Sequence, residues 1–344
     1  MKQIDYEFRS DFNERYSLVS RRILRMLSED SRSSISGISR SLGLSRQSVV
    51  ERVQKMEKEL GIGYTLELNE DALGFLDPHL ILVRFSSRPD YKYIKEIFSG
   101  SYVPQLVASL RGGREMIIYA NAVSRQEYVH WDKSMQILLA DYGVSWQASE
   151  VAHRQLGFFP LRNELLERLN LPIKYKEMIK ILNTNSRASF QELSRQLGMH
   201  FNTVAYNFKK LEGMNYIRRF TTVMKPPENV WFMSTFGKYV ISRSFEEDAA
   251  MSRKAFQADD ENSLVSRYIL VSQLVGSFDF FSIGAFDNLD QAYRNGVRYY
   301  KKCMANEKPK VTYGAIEEVL VGNLPIRSLD TRKVYNTIKW TPTR

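Results

Sequence analysis

Residues 31–43 read SRSSISGISRSLG and residues 186–198 read SRASFQELSRQLG, so one unit of this 344-residue chain recurs after 155 residues. Carried forward without gaps, the same offset pairs Ile38 with Leu193, Leu42 with Leu197, Val49 with Val204, Val53 with Phe208 and Met56 with Leu211. Apolar residues meet apolar ones throughout. In the first copy Ile23, Leu24 and Leu27 form a stripe at helical spacing, and Ile35, Ile38 and Leu42 form the stripe of a second helix. Gly43 is placed to end that helix, because glycine enters the left-handed conformation that lets the chain stop and turn. Ser45 is the expected N-cap of a third helix, whose buried face is Val49, Val53 and Met56. Helix, tight turn and helix, twice over, decide the architecture.

The third helix leaves Arg46, Gln47, Ser48, Arg52 and Lys55 facing outward. These side chains have the hydrogen-bonding capacity to read base edges or hold phosphates. The second copy keeps the core and changes the face: His200, Phe201, Asn202 and Thr203, then Tyr206, Asn207, Lys209 and Lys210. Two such readers should prefer different sequences. A β-wing is expected after each, at Ile62 to Leu68 and Tyr216 to Val223, and only the second wing is basic, through Arg218 and Arg219. The expected first-copy contacts are Ser45, Arg46, Gln47, Ser48 and Arg52. In the second copy they are His200, Asn202, Thr203, Tyr206 and Asn207, with Lys209, Arg218 and Arg219 on phosphates.

Net charge is +10 with a pI near 9.4, which favours a polyanionic partner such as double-stranded DNA. Residues 1–155 hold 21 basic and 20 acidic residues, against 28 and 19 in residues 156–344, so the second half should dominate phosphate attraction. The single cysteine, Cys303, excludes an internal disulfide framework and a multi-cysteine zinc site. No metal or cofactor is expected. No apolar run suggests a membrane span, and the charged start MKQIDYEFRSDF does not read as a signal peptide. A cytoplasmic protein is expected. Glycine-rich phosphate loops, HExxH and GxSxG are absent from the sequence.

Between the repeats the pattern predicts a strand over 78–86, a helix over 89–98, strands over 103–110 and 114–120, a helix over 124–142 and a strand over 144–152. The order βαββαβ is that of a ferredoxin-like sheet with helices on one face. A second copy is predicted from strands over 232–242, 268–274, 278–285 and 311–320, with helices over 245–256 and 289–304. The fold class is therefore α+β: two winged helix-turn-helix domains (1–70 and 157–225) alternating with two ferredoxin-like domains (71–156 and 226–322), then a basic tail (323–344).

The helix-turn-helix with LSRQSVVERVQKME, followed by a βαββαβ unit, resembles the leucine-responsive and asparagine regulator (Lrp/AsnC) family of transcription factors, in two tandem copies. The resemblance implies that each third helix enters the major groove, and that the α/β units pair subunits and bind a small-molecule effector. In the family a Gly-Asp-aromatic-Asp turn lies beside the effector. Here it reads Gly276-Ser277-Phe278-Asp279, with Ser277 in place of the first carboxylate, and Gly112-Gly113-Arg114-Glu115 in the first copy. Gly276, Ser277 and Asp279 are the effector-facing residues this implies, with an ammonium partner lost. The duplication allows self-association within one chain, as a pseudo-dimer, or between chains as a homodimer. Two alternatives accompany the sequence-specific regulator: an architectural DNA-binding protein, and a tetrapyrrole enzyme, because fused siroheme decarboxylases resemble tandem regulators of this type. None of the four histidines falls on the predicted central strands, so the chain is expected not to be an enzyme.

Overall fold

The computed structural model describes residues 18–76, 78–223, 231–238, 268–286, 290 and 310–324. The first helix-turn-helix comprises α1 (Leu18–Glu29), α2 (Ile35–Leu42) and α3 (Arg46–Leu60). Its core is the predicted one, with Ile23, Leu24, Leu27, Ile38, Val49, Val53 and Met56 buried. Gly43 caps α2 at φ 65° and Ser45 caps α3. Wing β1 (Gly63–Leu68) follows. After it come β2 (His79–Phe85), α4 (Tyr91–Ser99), β3 (Pro104–Leu110), β4 (Glu115–Ala120), α5 (Arg125–Leu138) and β5 (Val144–Leu156), the expected βαββαβ order.

A short α6 (Asn163–Leu166) leads into the second head: α7 (Ile173–Thr184), α8 (Phe190–Leu197), α9 (Phe201–Gly213) and wing β6 (Ile217–Val223). Ser189 and Glu192 form a reciprocal capping box on α8. Among the described residues four strands follow: β7 (Trp231–Lys238), β8 (Tyr268–Gly276), β9 (Phe280–Phe286) and β10 (Lys310–Val321). The helices expected over 245–256 and 289–304 lie outside the described residues, Asp290 apart, as does the tail beyond residue 324.

The two α/β units share one closed, antiparallel eight-stranded barrel in the order β10-β3-β4-β2-β5-β8-β9-β7. Each half keeps the ferredoxin-like order, β5-β2-β4-β3 and β10-β7-β9-β8. The joints are equivalent: β5 pairs with β8 and β10 pairs with β3, so the fourth strand of each half meets the second strand of the other. Closure leaves no free sheet edge in the barrel. Leu80, Leu82, Leu106, Leu110, Ile117 and Tyr119 from the first half share one buried cluster with Phe232, Phe236, Leu274, Phe281 and Ile283 from the second. The alternate residues Ile81, Val83, Val107 and Ile118 pack with Ile94, Phe98 and Trp131 of α4 and α5. Both faces of β2 are covered, which is why HLILVRF reads as a continuous apolar run and not as an alternating one. Arg84 is held within the first half by Glu115 Oε1 (2.7 Å) and Gln147 Oε1 (2.8 Å) and joins the halves by donating to Thr312 Oγ1 (3.2 Å).

A second joint binds the heads. Wing β1 pairs antiparallel with wing β6, Leu66 opposite Phe220 and Glu67 opposite Arg219. The repeat-equivalent hydroxyls of Ser31 and Ser186 touch at 2.6 Å, both residues fully buried. Around this point the contacts are reciprocal. Arg32 Nη1 donates to the Ser186 and Ala188 carbonyls at 2.7 and 3.0 Å, and Arg187 Nη1 donates to the Ser31 carbonyl at 2.9 Å. Thr65 Oγ1 donates to the Asn183 carbonyl and Thr221 Oγ1 to the Ser28 carbonyl, each at 2.7 Å. An approximate two-fold axis therefore passes between Ser31 and Ser186.

Three phenols give the fold an alkaline limit. Burial and the Glu57 carboxylate push Tyr64 up, burial and Glu127 push Tyr102 up to about 12, and burial and Asp132 push Tyr128 up. The unfolded chain ionises these groups near 10.0 while the folded chain still holds them neutral. Their stabilisation is complete below about pH 10 and is lost as pH rises toward the folded values. Urea midpoints should stay level to about pH 10 and fall above it; a level profile at about pH 11.5 contradicts this assignment.

Candidate nucleic-acid interface

Both recognition helices start on a side-chain cap, and this presents their first turns to solvent. Ser45 Oγ accepts from the Ser48 amide at 3.1 Å, and His200 Nδ1 accepts from the Asn202 amide at 3.3 Å. A cap fixes the entry of the chain, so the residues after it project from the end of the helix that meets base edges in a helix-turn-helix. In α3 this leaves Arg46 and Gln47 exposed and Ser48 half-buried. Gln47 Nε2 donates to Glu51 Oε1 at 2.9 Å, which adds an exposed carboxylate to this face. In α9 Phe201, Asn202, Thr203, Tyr206, Lys209 and Lys210 are exposed.

Two expected readers are placed elsewhere. Asn207 is only 2% exposed, because Val204, Asn207, Phe208 and Leu211 fall at the i, i+3, i+4, i+7 spacing of the buried stripe. Its polarity had suggested the outer face, but the helical period puts it inside. Arg52 is half-buried and turned back to its own domain, its Nη1 3.1 Å from Ser20 Oγ and its Nε 3.4 Å from Ser48 Oγ.

The basic wing is also corrected. Arg219 Nε lies 2.6 Å from Glu67 Oε2, with both side chains largely buried, and Arg218 Nη2 lies 3.4 Å from Asp71 Oδ2. Wing pairing thus sets the second copy's arginines on the first copy's acids, and Arg219 holds the heads together where a phosphate contact was expected. No isolated reading of either wing reveals this. The complementary signal was nonetheless in the sequence, since the wing opposite the arginines carries Glu67 and ends near Asp71.

The turn Gly276-Ser277-Phe278-Asp279 is a fastening between the barrel halves. The Ser277 amide donates to the Ala148 carbonyl (3.4 Å) and the Phe278 amide to Ser149 Oγ (2.9 Å), while the Asp279 amide donates to the Gly237 carbonyl (2.9 Å). Phe278 is buried. Gly276 adopts φ 135° with its α-carbon pressed on β5, where an added Cβ would lie 3.0 Å from the Ala148 carbonyl oxygen. Among the described residues no cluster of three or more His, Cys, Asp or Glu could hold a metal, and no helix is long and apolar enough to cross a membrane.

Comparison with known proteins matches these elements. The family model for an AsnC-type helix-turn-helix domain covers residues 19–57, and that for a winged helix-turn-helix DNA-binding domain covers residues 176–218. No curated protein matches the chain significantly in sequence. Among solved structures, the siroheme decarboxylase NirDL is similar over 92% of this chain and 97% of its own, at 10% identity and TM-score 0.58. Its co-complex with an iron-uroporphyrin III analogue matches over 90% and 94%, at 11% identity and TM-score 0.57. The B. subtilis protein LrpC matches 39% of this chain and 91% of its own, at 22% identity and TM-score 0.32. The expectation that the chain is not an enzyme does not stand, because the fold shared along nearly its whole length is one that an enzyme uses. The absence of histidine from central strands was too narrow a ground to exclude catalysis. The chain thus carries an AsnC-type helix-turn-helix domain and a second winged helix-turn-helix domain, joined to strands in tandem ferredoxin-like order that close one barrel.

Proposed function

We propose that this chain is a sequence-specific DNA-binding transcriptional regulator of the cytoplasm, with two non-identical reading heads per chain. The observation that carries this is the pair of capped, outward recognition turns, Arg46-Gln47-Ser48 and Phe201-Asn202-Thr203, attached to heads that one seam holds about a common axis. Two readers in fixed relation to each other suit a two-part site, with half-sites one helical turn apart or a multiple of it. The heads differ in chemistry, so the halves of that site should differ. Lys209 and Lys210, exposed beside the second reader, are suited to phosphates. The test is selection from random-sequence duplexes at about 0.15 M salt, followed by sequencing of the retained fraction. A two-part motif with unlike halves is expected. Retention without enrichment would indicate the architectural alternative.

A second reading rests on the whole-chain likeness to siroheme decarboxylase, one structure of which holds an iron-uroporphyrin III analogue. In that case the α/β barrel of this chain would bind a tetrapyrrole. A shift in the visible absorbance of iron-uroporphyrin III on mixing with the protein supports it, and an unchanged spectrum removes it. The two activities are tested independently.

A further inference from the structure

The two reading helices correspond residue by residue, and the correspondence keeps a lysine at Lys55 and Lys210 and a carboxamide at Gln47 and Asn202 but sets unlike chemistry at other exposed positions. With Ser45 and His200 as caps, Arg46 stands where the second head has Phe201, Gln47 where it has Asn202, and Glu51 where it has Tyr206. Phe201 is 44% exposed and Tyr206 is 67% exposed, which makes them two of the most exposed aromatics among the described residues. Phe201 is held rather than loose: its ring meets Phe190 edge-on at 6.0 Å, and Phe190 in turn packs on the buried Phe208 at 5.2 Å. An apolar ring fixed at the first residue of a recognition helix lies where base edges are read. The one apolar feature a base pair offers in the major groove is the thymine methyl.

We propose that Phe201, supported by Tyr206, makes the second head a reader of thymine methyl groups, with Asn202 suited to the neighbouring adenine. The first head instead reads guanine through Arg46. The proposal rests on the DNA-binding reading above and adds the base class that each half-site contains. Arginine pairs with guanine O6 and N7, and asparagine with adenine N6 and N7. The operator is then a composite, guanine-bearing at one end and A·T-rich at the other.

The experiment uses the full chain and the duplex enriched by selection, resynthesised with deoxyuridine in place of each thymine in turn. Deoxyuridine removes only the methyl. Burying one methyl corresponds to about a fourfold change in affinity, so each contacted thymine should cost about fourfold when replaced. Phe201→Ala should bind the thymine and deoxyuridine duplexes equally. Phe201→Arg should move the selected base at that position from thymine toward guanine, a gain that misfolding cannot produce. Arg46→Ala should weaken selection at the guanine end and keep the deoxyuridine penalty. Wild-type indifference to deoxyuridine overturns the proposal, as does a penalty that persists in Phe201→Ala. A change of solution mass in Phe201→Ala with no change in the deoxyuridine penalty also overturns it, by assigning the aromatic face to contact with a second copy. Failure to retain any duplex overturns the parent reading as well, and is told apart from these outcomes because no motif then exists.

Discussion

Alanine at Gly322 is expected to unfasten the barrel, at a cost of about 2–5 kcal/mol. Gly322 directly follows β10, where the second half closes onto β3 of the first. Its φ is +76°, and a Cβ built there would lie 1.9 Å from the Gln105 carbonyl oxygen and 3.3 Å from the Leu106 α-carbon. Backbone, not a flexible side chain, stands in the way. Left-handed strain accounts for roughly 1–2 kcal/mol and forcing the strands apart for roughly 1–3 more. Gly43→Ala separates these effects: Gly43 has φ +65° but nothing within 4 Å of its Cβ position, so only the strain of about 1 kcal/mol applies. Urea unfolding of the two variants side by side is the measurement. Equal losses would mean that close approach at the β10–β3 joint does not matter.

Arg32→Ala should cost about 2–4 kcal/mol and fall mainly on the heads. Its guanidinium donates to two carbonyls of the other copy and lies 4.7 Å above the Phe208 ring, with Phe190 and Phe220 at 5.6 and 5.5 Å. Burial lowers the Arg32 pKa, so its charge is taken partly out of water and needs these partners. Removing it strands two carbonyls and the faces of three rings. Arg187, its repeat equivalent, donates to the Ser31 carbonyl and covers only the Tyr64 ring, at 5.0 Å, so Arg187→Ala should cost about half as much. Chemical denaturation with limited proteolysis of the heads checks both. An Arg32→Ala chain as resistant as the parent would show that the seam is held by the wings alone.

Local structure was legible in the sequence wherever a residue has one physical role. Gly43 and Gly198 end helices in the left-handed conformation, Ser45 caps, and the stripe from Ile23 to Met56 is buried as its period requires. The βαββαβ order followed in the same way from hydrophobic runs and turn residues. What was not legible depends on partners far along the chain. Nothing in YILVSQLVG states that its neighbour is β5 of the other half, and nothing in IRRFTTV states that its arginines meet Glu67 and Asp71. Asn207 shows the reverse failure. Its period was readable and places it beside Val204 and Leu211, yet residue type was allowed to outweigh spacing. Phe201 was read on the outer face but left out of the expected contacts, and its 44% exposure agrees with that placement.

The seam between Ser31 and Ser186 has a consequence for dosage. In a dimer of separate subunits, the paired state is diluted away as protein becomes scarce, and partnership and reading are lost together. Here the same chain supplies both sides, so each half sees the other at a local concentration set by the connecting residues and unaffected by copy number. Loss of pairing becomes a first-order event. A few molecules would hold both heads together as faithfully as many. The covalent link also frees the halves from identity: a change at Arg46 is made once and leaves Phe201 alone, whereas in a homodimer every substitution arrives twice.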